Sequence, residues 1–146
     1  MKTNLIIKRI LFYIVSFTWG ALMSVIGLLA LFFTLPFGEF KIYHGRICKR
    51  IGRNRYWGGL ELGCFFFVST FDDEYLMMHE AGHGIQNCLF GPLFPIVVGI
   101  PSAVRYWYRE IKVRKNPGIQ LPDYYSIWFE KQASDWGAKY IVTDRI

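Results

Sequence analysis

The sequence predicts an α+β protein in two parts. An N-terminal transmembrane helix occupies residues 1–38, and a compact domain occupies residues 39–146. The domain is expected to hold a short sheet, a helix carrying His79-Glu80-Ala81-Gly82-His83 and a later helix carrying Glu130. Three observations predict this. No charged residue occurs from Ile10 to Phe37. Residues 60–68 are rich in aromatic and β-branched side chains, the composition of a half-buried strand. The segments around His79 and Glu130 each follow residues suited to capping a helix.

The uncharged run is longer than the roughly 20 residues that cross a bilayer's hydrocarbon layer. In helical form it satisfies its own backbone polar groups. Pro36 marks its exit. The run is too long for a typical signal-peptide core and no small-x-small cleavage site follows it, so a retained span is expected; a cleaved signal or a buried helix is the alternative. Hydrophobic residues make up 53 % of the chain and charged residues only 19 %, which also favours a membrane-associated protein. Lys2, Lys8 and Arg9 precede the run, whereas Lys41, Arg46, Lys49, Arg50, Arg53 and Arg55 follow it. The excess after the run places residues 39 onward on the cytoplasmic side of the cell membrane.

The net charge of +6 suits anionic headgroups, so membrane lipids are an expected partner. No zinc finger, RNA-binding module or helix-turn-helix pattern accompanies it, which excludes nucleic acid. Nothing in the sequence sets the oligomeric state. The three cysteines, Cys48, Cys64 and Cys88, form no C-x-x-C pair and no disulfide framework, and are read as buried free thiols.

Residues 40–44 and 46–49 alternate on either side of Gly45 and suggest a short hairpin, with Gly52-Arg53-Asn54-Arg55 as a turn. Residues 60–68 read as the main strand. Thr70 with Asp73 makes a capping-box pattern and Asp72 is a competing cap, so a helix should run to about Leu89 and stop at Gly91-Pro92. Residues 90–104 are uncharged but broken by Pro92, Pro95 and Pro101. They fit a membrane-dipping segment, an apolar loop under the His79 helix, or a short second span reaching Tyr108. Membrane contact is thus expected near residues 90–108, where Arg105, Tyr106, Trp107, Tyr108 and Arg109 suit the headgroup level. Asn116-Pro117-Gly118 is a turn, and Asp123 could cap a last helix over about residues 124–138.

His79 and His83 are four residues apart and project from one helix face. Neutral imidazoles suit zinc. Glu80 need not bind metal: it can take a proton from metal-activated water and pass it to a leaving amine. Cys88, about 140° round the helix from His83, does not share that face. A third ligand is required. Glu110 lies in a basic stretch and has Arg109 or Lys112 as partner, Asp123 reads as a cap, and Asp144 is near the chain end. Glu130 stands among Trp128, Phe129 and Ala133, where an acid is costly without a strong partner, and is the expected third ligand. His44 is the upstream alternative.

The pattern of His79, Glu80 and His83 followed by Glu130 resembles the gluzincins, metallopeptidases with HExxH on one helix and glutamate on a later one. More narrowly, the chain resembles small bacterial membrane-associated zinc metallopeptidases of that type. The matching stretches are Trp57-Gly58-Gly59-Leu60-Glu61-Leu62-Gly63 with Phe65-Phe66-Phe67, then HEAGHGIQNCLFGPLFP, then YYSIWFEKQASDWG. The resemblance implies a zincin-like domain with a Zn2+ ion on His79, His83 and Glu130. It also implies a strand beside the HExxH helix that holds an extended substrate, a role residues 60–68 could fill. Gluzincins often continue E-x-x-x-D, with the aspartate supporting a ligand histidine; here Ser134 takes that place and Asp135 comes one residue later. Tyr124, Tyr125 and Arg105 are candidates for steadying a developing oxyanion. The function expected is a membrane-bound zinc endopeptidase with Glu80 as general base and a peptide or protein as substrate. The alternatives are another zinc-dependent amide or lipid hydrolase, and a non-enzymatic metal-binding membrane scaffold.

Overall fold

The computed structural model describes residues 2–52, 57–69 and 73–142. Thr70, Asp72, Asp144 and most of the expected 52–55 turn lie outside them. The chain begins with two helices, α1 (Lys2–Phe17) and α2 (Ala21–Thr34), which meet at 92°. This corrects the single straight span. The break at Thr18-Trp19-Gly20 is built from specific contacts. Thr18 Oγ1 donates back to the Ile14 carbonyl at 2.7 Å, and Ser24 Oγ donates across the bend to the Ser16 carbonyl at 2.7 Å. A side chain at Gly20 would strike the Asn87 amide, so glycine lets the bend close on a later helix. Among the described residues no single helix is long and apolar enough to cross a membrane. The bent pair α1–α2 meets that requirement together, as does a second bent pair that follows the sheet, and both support membrane association.

The sheet has the order β1-β2-β4-β3. Strands β1 (Glu39–Tyr43) and β2 (Arg46–Arg50) form the expected hairpin, joined by His44 and Gly45, both at positive φ, as a two-residue hairpin turn requires. The single strand expected over residues 60–68 is instead a second hairpin of β3 (Gly59–Leu62) and β4 (Phe65–Val68). Gly63, at φ 77°, reverses the chain and leaves room for Ser24 of α2. β4 pairs parallel with β2 at the centre, and all four of its residues are buried because both sheet faces are covered. Phe65 and Phe67 pack with Met23 and Leu62 on one side; Phe66 and Val68 pack with Leu76, Met77 and Ala81 on the other. β3 is left as an edge strand.

Helix α3 (Glu74–Phe90) carries the two histidines. Its cap is Asp73, whose Oδ1 accepts from the backbone N–H groups of Tyr75 and Leu76 at 3.0 and 3.2 Å. Such a cap stabilises a helix by about 1 kcal/mol. Gly91, at φ 53°, ends the helix as expected. Residues 91–99 form a 3-10 turn and a π turn, then α4 (Ile100–Lys115) leads away at 117°. The proline-broken segment is therefore helical and bent rather than a loop. Asn116 accepts from the Ile119 N–H in the expected turn. Asp123 caps a 3-10 turn, Tyr124–Ser126, and α5 starts later than expected, spanning Trp128–Gly137. Cys48 and Cys64 are buried and Cys88 is half-buried; all three are free.

Candidate metal centre

The centre forms where α3 crosses α5. A side chain at Gly82 would overlap the Ala133 carbonyl, and one at Gly137 would overlap the Met78 carbonyl. Glycine inside a helix costs roughly 0.5–1 kcal/mol relative to alanine. Here it brings two backbones into direct contact and sets Glu130 opposite the histidines.

His79 Nε2 lies 3.0 Å from Glu130 Oε2, His83 Nε2 lies 3.2 Å from the same oxygen, and the two Nε2 atoms are 3.1 Å apart. All three residues are buried, and Glu130 has no exposed surface. The three donor atoms thus make a nearly equilateral triangle. Tetrahedral zinc at ordinary ligand distances has edges of about 3.3 Å. The donor set, two imidazoles and one carboxylate, is also one that zinc accepts. His79, His83 and Glu130 form a zinc-protease-like ligand triad, which joins the residues singled out in the sequence.

The outer hydrogen bonds aim these donors. Gln86 donates its amide N–H groups to the Phe129 carbonyl at 2.8 Å and to Gln132 at 2.9 Å. Its Oε1 therefore faces His83 Nδ1, 2.7 Å away, and can only accept. His83 must carry a proton on Nδ1, so the proton a metal would displace is the one on Nε2, which faces Glu130. His79 Nδ1 lies 2.9 Å from Ser134 Oγ, which also accepts from the Tyr75 hydroxyl at 3.0 Å. Ser134 therefore occupies the supporting position. Asp135 pairs with Lys131 on the surface at 3.0 Å.

Glu130 is held at both oxygens. Ser102 Oγ donates to Oε1 at 2.5 Å and the Tyr124 hydroxyl at 3.2 Å. Only Oε2 is left for a metal. Burial opposes ionisation of Glu130, but its bonds from His79 and His83 prevail and hold the carboxyl well below the usual range. Burial likewise opposes protonation of His83, yet the Glu130 bond lifts it to about 9. Burial depresses His79 despite the same carboxylate.

Glu80 is 5 % exposed and faces the same cavity. Burial pushes its carboxyl up to about 7, with His83 opposing and Glu130 adding to the rise. The carboxylate lies against Gly59 of β3, at the spot a Cβ would fill. The cavity has a volume of about 750 Å³, ordinary for a ligand site. Gly58 to Glu61 of the edge strand form part of its wall, and Met23, Phe94 and Val98 make much of the rest apolar.

Of the other candidates, Tyr124, Tyr125 and Glu110 line the cavity without joining the triad, and the remaining described ones lie outside it. Arg105 donates to the Tyr124 and Asp123 carbonyls and ties α4 to the loop, away from the centre. Tyr125 sets its ring edge to face with His79, centroids 4.8 Å apart. His44 sits in the β1–β2 turn beside a different cavity. Glu110 pairs with Arg114 at 3.6 Å rather than with Arg109 or Lys112. Sequence reasoning missed Gln86 and Ser102. Gln86 had a usable signal, since it lies three residues after His83 on the same helix. Ser102 had none, because only the bend into α4 brings it to Glu130. The chain matches no family model, no curated protein and no solved structure.

Proposed function

We propose that the protein is a membrane-associated zinc-dependent endopeptidase. The observation that carries this reading is the convergence of three buried donor atoms and the Glu80 carboxylate on one cavity beside an edge strand. His79, His83 and Glu130 would hold the ion. When bound, zinc supplies Lewis-acid chemistry, polarising a carbonyl and acidifying water. Glu80 accepts the proton of the attacking water and delivers it to the departing amine. Strand β3 offers its unpaired backbone edge to an extended peptide, whose side chains meet the apolar wall. Tyr124 and Ser102 keep Glu130 turned toward the histidines.

Purified wild type, Glu80→Gln and Glu130→Ala are to be compared for zinc content and peptide hydrolysis. The expected result is full zinc without cleavage in Glu80→Gln, and loss of both in Glu130→Ala. Wild-type protein that holds zinc yet cleaves no member of a broad peptide library, like Glu80→Gln, would overturn the reading. The apolar wall also favours a second one, hydrolysis of a lipid or small amide; membrane fractions releasing a product with wild type but not with Glu80→Gln would select it.

The domain is further proposed to face the cytoplasm, on the strength of the basic residues after the apolar run. Asn116→Cys, in an exposed turn, should react with an impermeant thiol reagent in inside-out vesicles only.

A further inference from the structure

A second cavity, of about 420 Å³, lies between α1, the β1–β2 turn and the outer side of α3. It is separate from the metal centre. Lys8, Arg9, His44 and Arg46 line it, and no aspartate or glutamate does so among the described residues. Its remaining wall is apolar, with Phe12 and Val15 of α1 facing Ile85 and Ile141.

Arg46 is the unusual member. It is only 8 % exposed, its guanidinium stacks 3.7 Å over the Phe12 ring, and it donates to the Ala81 carbonyl at 2.9 Å. Neither Arg46 nor Arg9 makes an ion pair among the described residues. Burial lowers the Arg46 pKa to about 10, which still leaves it charged near neutrality. A buried guanidinium is costly without a nearby anion. Arg9 lies over Gly45, where a side chain would collide with its Nε, Cδ and Cζ atoms. Arg9 and Arg46 thus both line a cavity whose described lining holds no carboxylate; Glu61, the buried acid that acts on Arg46, is not part of that lining.

The walls select the kind of anion. Leu11 lines the cavity and is also 53 % exposed, continuous with Ile7 and Ile14 on the outer face of α1. A small hydrated anion gains nothing from such a surface, whereas an acyl chain does. The volume falls in the range of ordinary ligand sites.

We propose that this cavity seats the headgroup of one anionic phospholipid, its phosphate between Arg9 and Arg46 and its acyl chains leaving past Leu11 onto the exposed face of α1. The lipid would fasten α1 to α3 by neutralising the charge beneath the β1–β2 turn. Guanidinium groups suit phosphate through paired N–H donors.

The test is native mass spectrometry of the full chain in neutral detergent. Dioleoylphosphatidylglycerol, dioleoylphosphatidylcholine and inorganic phosphate are titrated in turn. One phosphatidylglycerol per chain is expected, bound at least about tenfold more tightly than phosphatidylcholine, and Arg9→Gln should remove that preference. Arg9 is exposed, so its replacement leaves the core intact. Arg114→Gln, which removes an equal charge from α4, should retain the preference. Equal binding of the two lipids, an unchanged preference in Arg9→Gln, or complete release of phosphatidylglycerol by millimolar inorganic phosphate would each overturn the proposal.

Discussion

Glu130 and Glu61 are both buried carboxylates near His83, one on the α5 side of α3 and one on the sheet side. Glu130 receives hydrogen bonds at both oxygens, from two histidines, a serine and a tyrosine. Neither oxygen of Glu61 receives a side-chain hydrogen bond among the described residues, and the Gly63 backbone N–H gives it at most a weak one. The consequences are opposite. Glu130 is held ionised, whereas burial raises the Glu61 carboxyl well above its ordinary value, Glu80 adding to the rise and His83 and Arg46 opposing it. Burial alone therefore does not make a ligand. What distinguishes the α5 side is a set of donors arranged before any metal arrives.

The largest effect expected is at Glu130 itself. Glu130→Ala should lower zinc affinity by more than the about 100-fold typical of outer-shell changes, whereas Glu61→Gln should leave zinc content unchanged. Metal analysis after dialysis against a graded chelator series measures both, and equal losses would erase the contrast. Next is Gly59→Ala, which places a methyl group where the Glu80 carboxylate lies. Its kcat should fall about 100-fold with zinc retained, since displacing a reacting group by about 1 Å costs that much. Alongside Glu80→Gln the loss should not add. Ser134→Asp would put a carboxylate behind His79 and should tighten zinc binding about tenfold, testing whether the neutral support is a weakness.

The smallest effect concerns stability against pH. A carboxyl whose folded pKa is raised takes up protons on folding, so wild-type stability should decline as pH rises above about 4.5, the ordinary glutamate value. Glu61→Gln removes its share of that slope, leaving the shares of Glu80 and His83. By pH 9 the variant should be more stable than wild type by about 1–3 kcal/mol, the cost of a poorly compensated buried group. Urea unfolding from pH 5 to 9 checks the sign; parallel curves would mean that Glu61 is ionised and paired.

The parts of this molecule written in local pattern were legible from sequence. His79, Glu80 and His83 are fixed by helical spacing, and Glu130 betrays itself as an acid in an apolar stretch. The short sheet and the order of the helices were legible for the same reason. The failures share a different cause. The bend at Gly20 depends on Asn87, and the reversal at Gly63 depends on Ser24, so each glycine answers to a residue far along the chain. The cap is Asp73, one of several neighbouring acceptors that local pattern does not rank. Ser134 was visible as a departure from the gluzincin pattern, but its bond to His79 rests on two glycines that pull α3 and α5 together.

The right angle between α1 and α2 is held from outside as well as by its own hydroxyls. Asn87 donates to the Gly20 carbonyl, and the Trp19 indole donates to that of Leu89 at 3.3 Å while lying against Gly91. Those partners are 67 and 70 residues later in the chain. At a synthesis rate of about 5–20 residues per second, the apolar pair leaves the ribosome several seconds before its clasp exists. Through that interval it is a continuous greasy segment available to the insertion machinery. Its final shape is imposed afterwards, when α3 docks.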